Sequence, residues 1–159
     1  MARRLCLSSG SLGYFVHVME MTPRCRKALD YAQESLCRFG HAHTSSAHLI
    51  LGLLTLQGGV ADNVLRRAGL SLQSVEGYLS DRPTSEEVST VQDGRTLGRS
   101  ALLAFERAEA QARSRQFSYL GIEDLLLGIL AEESGEATDL FASVHLDRLS
   151  MSRTILEEI

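Results

Sequence analysis

The sequence has one lysine, no tryptophan, two prolines and three cysteines among its 159 residues. A phosphate-binding loop of the G-x-x-x-x-G-K-[ST] type needs a lysine on the phosphates. Since no glycine precedes Lys27 in that register, ATP hydrolysis through such a loop is excluded. A G-x-S-x-G nucleophile motif is also absent. The sequence therefore favours a protein that is not an enzyme and needs no cofactor.

The cysteines and the apolar segments bear on the cellular compartment. Cys6, Cys25 and Cys37 form neither a disulfide framework nor a C-x-x-C motif, which favours reduced thiols in a cytoplasmic protein. No apolar run approaches the roughly 18 residues that a membrane span needs. No small-residue cleavage site follows the apolar stretch 12–18, so we expect no secretory signal and no membrane partner.

One stretch of the chain occurs twice. His48–Leu54 (HLILGLL) returns as Asp124–Leu130 (DLLLGIL), an offset of 124 − 48 = 76 residues. The same offset holds without a gap for small and large apolar residues elsewhere: Ala28 matches Ala104, Ala32 matches Ala108, Gly59 matches Gly135 and Leu70 matches Leu146. A constant offset that preserves both kinds of residue indicates a duplicated structural unit.

Each copy shows apolar residues at helical spacing in four segments. In the first copy we predict helices from Pro23 to about Arg38, Ala47–Leu56, Val60–Ala68 and Ser71–Leu79. In the second we predict them from about Leu97 to Ala112, Ile122–Leu130, Ala137–Phe141 and from Asp147 through Ile155. No segment alternates with a period of two for long enough to predict a strand. The predicted fold is all-α, an eight-helix bundle of two pseudo-twofold-related four-helix repeats.

Glycine at the centre of the repeated stretch is unfavourable by itself. Gly52 in a helix costs about 1 kcal/mol relative to alanine, and Gly128 repeats it. We interpret the pair as positions where another helix crosses too closely for a side chain.

The predicted domain boundaries follow the duplication. Residues 22–80 form the first repeat and residues 98–159 the second, with 22–159 as one compact domain. Residues 81–97 are polar and are predicted to form a structureless linker. Residues 1–21 match nothing in the repeat; they are a disordered extension, a weak targeting segment, or residues upstream of a true start at Met19 or Met21.

Two local clusters suggest sites that we set aside. His41, His43 and His48 have the spacing of zinc ligands, but Phe117, Tyr119 and Asp124 occupy the matching positions, so the fold does not need the cluster. Basic patches at residues 24–27 and 66–67 stand in a chain of net charge −4, whereas a nucleic-acid binder usually needs a basic face. We expect neither a metal nor a nucleic-acid partner.

Several motifs together resemble the Clp N-terminal repeat, over about residues 22–157. They are Thr22-Pro23-x-x-x-x-Ala28, Gly40-His41, His48–Leu54, Gly59-Val60-Ala61, Glu123–Gly128 and Gly135. In that family the domain is an eight-helix bundle at the front of hexameric AAA+ unfoldases. The resemblance implies docking of substrates and adaptor proteins that are passed on for unfolding and proteolysis. Because the sequence ends at Ile159 without ATPase modules, we expect a stand-alone, monomeric accessory or regulatory subunit of a Clp-type system.

The resemblance also implies a ligand. In the Clp-C branch, each repeat has a Thr that opens its first helix and a Glu just before the His of its second helix, and these hold phosphoarginine. The first repeat here has Thr22 but Ala47 in place of the Glu; the second has Glu123 but Gly98 in place of the Thr. Taken repeat by repeat, neither half-site is complete. The expected ligand- or peptide-binding residues are Thr22, Arg26, Gln33, Leu102 and Glu123.

Two alternatives remain open at this point. The first is a stand-alone decoy that binds the cyclic-peptide ligands of the homologous unfoldase domain. The second is a helical repeat whose function has decayed, which the incomplete half-sites favour.

Overall fold

The computed structural model describes residues 19–81, 88–92, 95–133 and 135–159. For residues 88–92 it describes the backbone alone. The helices in this part of the chain are α1 (Pro23–Phe39), α2 (Ser46–Leu56), α3 (Gly59–Arg67), α4 (Leu72–Ser80), α5 (Arg99–Ser114), α6 (Ile122–Leu130), α7 (Glu136–Ser143) and α8 (Arg148–Glu158). The strands are β1 (Glu20–Met21), β2 (Val88–Gln92), β3 (Arg95–Gly98) and β4 (Tyr119–Leu120). The predicted all-α fold of two four-helix repeats is confirmed.

Local sequence explains where α1 begins and ends. The Thr22 hydroxyl accepts a hydrogen bond from the backbone N–H of Cys25 at 3.2 Å, and Pro23 follows at a position where no N–H is needed. Gly40 then takes the left-handed conformation with φ 69°, and the helix stops there. Both ends are as the sequence predicts.

The core is built on α2 and α6, which are apolar on nearly every side. Every residue of α2 from Ser46 to Leu54 is buried, because α2 packs against α1 and lies between the two units. In the same way α6 packs against α5. The helices of each pair cross at the repeated glycine. A Cβ atom on Gly52 would overlap the carbonyl oxygen of Ala28, and one on Gly128 would lie 2.9 Å from the backbone nitrogen of Ala108.

Short strands join the two units crosswise. β1 pairs in parallel with β4, so that Met21 stands beside Leu120 and the Thr22 N–H donates to the Leu120 carbonyl at 3.0 Å. Likewise the Gly98 N–H donates to the Thr44 carbonyl at 2.8 Å. The second hydrogen bond is the pseudo-twofold equivalent of the first, with the donor and the acceptor in the opposite units. The start of the first helix in each unit therefore lies against the approach to the second helix of the other unit.

The predicted linker needs correction. Residues 88–92 and 95–97 of the linker are not structureless, because β2 pairs antiparallel with β3, with a register irregularity between Val88 and Thr90. Backbone pairing in such short strands needs no alternation of apolar residues, which is why the sequence pattern missed it. The parts of the linker at residues 82–87 and 93–94 lie outside the described residues.

The start of the folded unit also differs from the prediction. Residues 1–18 of the predicted extension lie outside the described residues. Its last three residues belong to the packed structure: Met19 and Met21 are buried in the core, and the Met19 N–H donates to Glu109 at 2.7 Å. The division into two repeat domains remains a prediction.

In the described part of the chain, no single helix is long and apolar enough to cross a membrane. Only α2 and α3 taken together meet that criterion, by length and composition, and they are bent by 109°.

The helix crossings can be tested with matched glycine variants. Gly52→Ala is expected to lower the free energy of unfolding by about 1–3 kcal/mol, because its methyl group overlaps the backbone of α1. Gly77→Ala is the control, since its methyl group meets open space in a helix, and we expect it to raise stability by about 0.5–1 kcal/mol. Urea denaturation of both variants measures the difference. Equal effects would contradict the close crossing.

Candidate functional site

A groove of about 460 Å³ opens where the start of α1 meets the loop before α6. One wall comes from the first unit through Thr22, and the other from the second unit, with Ile159 beyond the end of α8 completing the rim. The remaining lining residues are Arg115, Gln116, Phe117, Ser118, Tyr119, Gly121, Glu123 and Asp124.

The structure combines the Thr position of one unit with the Glu position of the other unit, which corrects the pairing within each repeat that the sequence analysis assumed. Because β1 pairs with β4, Thr22 shares a groove with Glu123 of the other unit. Gly98 lies against Thr44, and so beside the segment that leads to Ala47. The complete Thr and Glu combination therefore stands in this groove, and both departures, Gly98 and Ala47, belong to the position related to it by the pseudo-twofold.

The two residues in the groove offer opposite kinds of interaction. The Thr22 oxygen already accepts from Cys25, which leaves the hydroxyl hydrogen to donate, and the positive end of the α1 dipole lies beside it. Glu123 is half-buried in the first turn of α6, and among the described residues it has no hydrogen-bond or ion-pair partner. One groove thus presents a donor to an anion and a carboxylate to a cation.

A buried ion pair holds the loop that lines the groove. Asp124 accepts from the backbone N–H of Gly121 at 3.0 Å, and its other oxygen pairs with the guanidinium of Arg115. That guanidinium also stacks on the ring of Phe117, with its carbon 4.5 Å from the ring centroid. Residues 115–124 are therefore fixed at both ends. Sequence reasoning identified Glu123 in this segment but missed its other groove-lining residues, although two aromatic residues in a short polar loop are a signal that could have been used.

In the first unit, a histidine accepts the backbone N–H before the second helix, as Asp124 does in the second unit. His48, at the position matching Asp124, accepts from the backbone N–H of Ser45 at 2.9 Å through Nδ1. Its Nε2 therefore carries the proton and donates to Nδ1 of His41 at 2.8 Å. Burial, and next the positive form of His41, lower the pKa of His48 to about 3. In the described part of the chain, no group of three or more His, Cys, Asp or Glu side chains is placed to hold a metal ion.

The position related to Glu123 by the pseudo-twofold is occupied by Ala47. Ala47 is completely buried, and the Ser46 N–H donates to the hydroxyl of Ser100 at 2.9 Å. The Ser46 hydroxyl in turn accepts from the backbone N–H of Ala137 at 3.1 Å. The Ala47 side chain therefore offers a ligand neither a charge nor a hydrogen bond.

The other residues predicted to bind a ligand do not line the groove. Arg26 is exposed one turn after Thr22 and pairs with Glu20 at 2.9 Å. Gln33 accepts a hydrogen bond from the Thr44 hydroxyl at 3.3 Å, and Leu102 is buried in α5. Of the five predicted residues, the structure brings together Thr22 and Glu123.

Comparisons with known proteins agree on one family. The family model for the Clp repeat (R) N-terminal domain matches residues 20–144. The chain is 32% identical over 144 residues to the probable ATP-dependent Clp protease ATP-binding subunit of Chlamydia pneumoniae, covering 88% of this chain and 17% of that protein. It is 28% identical over 131 residues to the ATP-dependent Clp protease ATP-binding subunit ClpC of Staphylococcus aureus, covering 80% and 15%. The chain thus spans about a sixth of the length of these relatives.

Solved structures show the same fold at low sequence identity. The N-terminal domain of the chaperone ClpD from Arabidopsis thaliana superposes with a TM-score of 0.70 at 17% identity, covering 87% of this chain and 94% of that one. The Hsp104 N-terminal domain from Candida albicans gives 0.69 at 16% identity, covering 87% and 90%.

The buried histidine predicts a pH dependence of stability. Unfolded His48 takes up a proton near pH 6.5, whereas folded His48 resists protonation down to about pH 3. Its contribution to stability is therefore complete above pH 6.5 and is lost as the pH falls towards 3, by roughly 1.4 kcal/mol per pH unit.

His48→Asn keeps a hydrogen-bond acceptor but removes the titration, so its free energy of unfolding is expected to fall less between pH 7 and pH 4.5 than that of the unmodified chain. The control is His145→Asn, because this exposed residue has φ 53°, which asparagine tolerates. Urea denaturation at several pH values tests both variants. An unchanged pH dependence in His48→Asn would contradict the assignment.

Proposed function

The chain belongs to the Clp repeat N-terminal domain family, and on that premise we propose that it binds substrate polypeptides or adaptor proteins of a Clp-type ATP-dependent chaperone–protease system. Binding is reversible, at micromolar strength, and involves no reaction catalysed by this chain. The observation that carries the proposal is the groove that Thr22 and Glu123 line together.

The chemistry of the groove suits a phosphorylated arginine side chain. A carboxylate forms strong, charge-assisted hydrogen bonds with a guanidinium group, and Glu123 has no competing partner in the described part of the chain. A phosphate group is stabilised at a helix N-terminus, where α1 adds the Thr22 hydroxyl. Both charges of phosphoarginine would therefore be met from opposite walls of the groove. We propose one phosphoarginine site per chain, since Ala47 has no carboxylate at the position where Glu123 stands in the second unit.

The proposed setting follows from the family and from the cysteines. The relatives are ATP-binding subunits of Clp proteases, so a Clp unfoldase or protease component is the proposed partner machinery. Cys25 is a buried free thiol and Cys37 an exposed one, which accords with a reducing cytoplasm. We propose a monomeric binding domain, since the groove is complete within one chain.

Titration with phosphoarginine, followed by backbone amide chemical shifts, tests the groove directly. The expected result is shifts at residues 115–124 and at the start of α1. Glu123→Gln is expected to weaken binding by about tenfold or more, the factor that 1.4 kcal/mol represents. Glu34→Gln is the matched control, because Glu34 is exposed on α1 outside the groove.

An unfolded model polypeptide, prepared with and without phosphorylated arginines, extends the test to substrates. We expect the phosphorylated form to bind with the same dependence on Glu123. Amide shifts confined to the residues around Ala47 would overturn the proposal. It would also be overturned if neither polypeptide bound and free phosphoarginine did not bind.

A further inference from the structure

Large apolar side chains are concentrated at the groove. Five such residues in the described part of the chain are exposed: Phe117, Tyr119, Leu149, Leu156 and Ile159. Three of them, Phe117, Tyr119 and Ile159, line the groove beside Thr22 and Glu123. We call these three residues the apolar wall.

The two aromatic residues of the apolar wall are held in place before any ligand arrives. The Phe117 ring stacks on Arg115, whose guanidinium is tied to buried Asp124. Tyr119 is 59% exposed, but its backbone lies in β4, which pairs with β1. Exposed aromatic side chains on a fixed backbone lose little freedom on binding, so they favour recognition.

The apolar wall, Thr22 and Glu123 line one continuous groove. Phosphoarginine by itself uses the donor at Thr22 and the carboxylate at Glu123, and it has no large apolar group for Phe117, Tyr119 or Ile159. A larger ligand that covers those rings would remove exposed apolar surface from water. The apolar wall is therefore available to contact a neighbouring side chain of the same polypeptide.

Resting on the proposed function, we propose that the groove reads two adjacent side chains of a substrate: a phosphorylated arginine between Thr22 and Glu123, and a large apolar side chain, best an aromatic one, against Phe117, Tyr119 and Ile159. Selection among phosphorylated sites would then depend on the residue beside the arginine.

Two capped tripeptides test this inference by calorimetry with the intact chain. One is phenylalanine–phosphoarginine–glycine, and the other has glycine in place of phenylalanine. We expect the phenylalanine peptide to bind about tenfold more tightly. Tyr119→Ser is expected to remove most of that difference, and binding of the glycine peptide that still depends on Glu123 shows that the variant is folded.

Leu149→Ser is the matched control, because Leu149 is 77% exposed on α8 and does not line the groove. It is expected to keep the full preference for the phenylalanine peptide. Equal binding of the two peptides, with both still dependent on Glu123, would overturn the apolar wall as a specificity element and leave the proposed function standing. If neither peptide bound, both proposals would fail. A preference that survives in Tyr119→Ser and is lost in Leu149→Ser would place the apolar contact on α8 and overturn the inference.

Discussion

Two backbone hydrogen bonds between the units determine how the rest of the molecule is arranged. The Thr22 N–H binds the Leu120 carbonyl, and the Gly98 N–H binds the Thr44 carbonyl. Each bond places the beginning of a first helix in one unit beside the approach to a second helix in the other. Side chains at a helix start and in the first turn of its neighbour therefore meet across the duplication. A ligand site built from such positions belongs to both units at once.

Within each unit, the helix crossing at Gly52 or Gly128 supplies a rigid base for these contacts. Backbone approaches this close leave no room for a methyl group, so the pairs α1–α2 and α5–α6 act as fixed bodies. The groove residues stand on the loops and first turns that these bodies position. This arrangement, with recognition on loops and precision from packed helices, suits a binding domain.

The two copies solve one structural problem with different chemistry. A side chain at the third position of the second helix must accept the N–H of the residue before that helix. Neutral His48, supported by His41, does so in the first unit. Asp124, supported by Arg115, does so in the second. The fold tolerates either, but the preceding residue differs: Glu123 lines the groove before Asp124, whereas Ala47 before His48 is completely buried.

Much of the fold could be predicted from the sequence, because the signals are local. The offset of the duplication, the apolar spacing of the helices, the Thr22 cap, the Gly40 end and the glycines at the crossings each depend on residues close together in the chain. The resemblance to the Clp repeat, rather than these local signals, implied Thr22 and Glu123 as candidates and Ala47 and Gly98 as departures. Only the tertiary structure showed which candidates meet. Thr22 and Glu123 are far apart in sequence and are joined through strands of two residues, which leave no periodic pattern. Two aromatic residues in a polar loop were a usable signal for the apolar wall, but only the packed chain shows that both are exposed and line the groove.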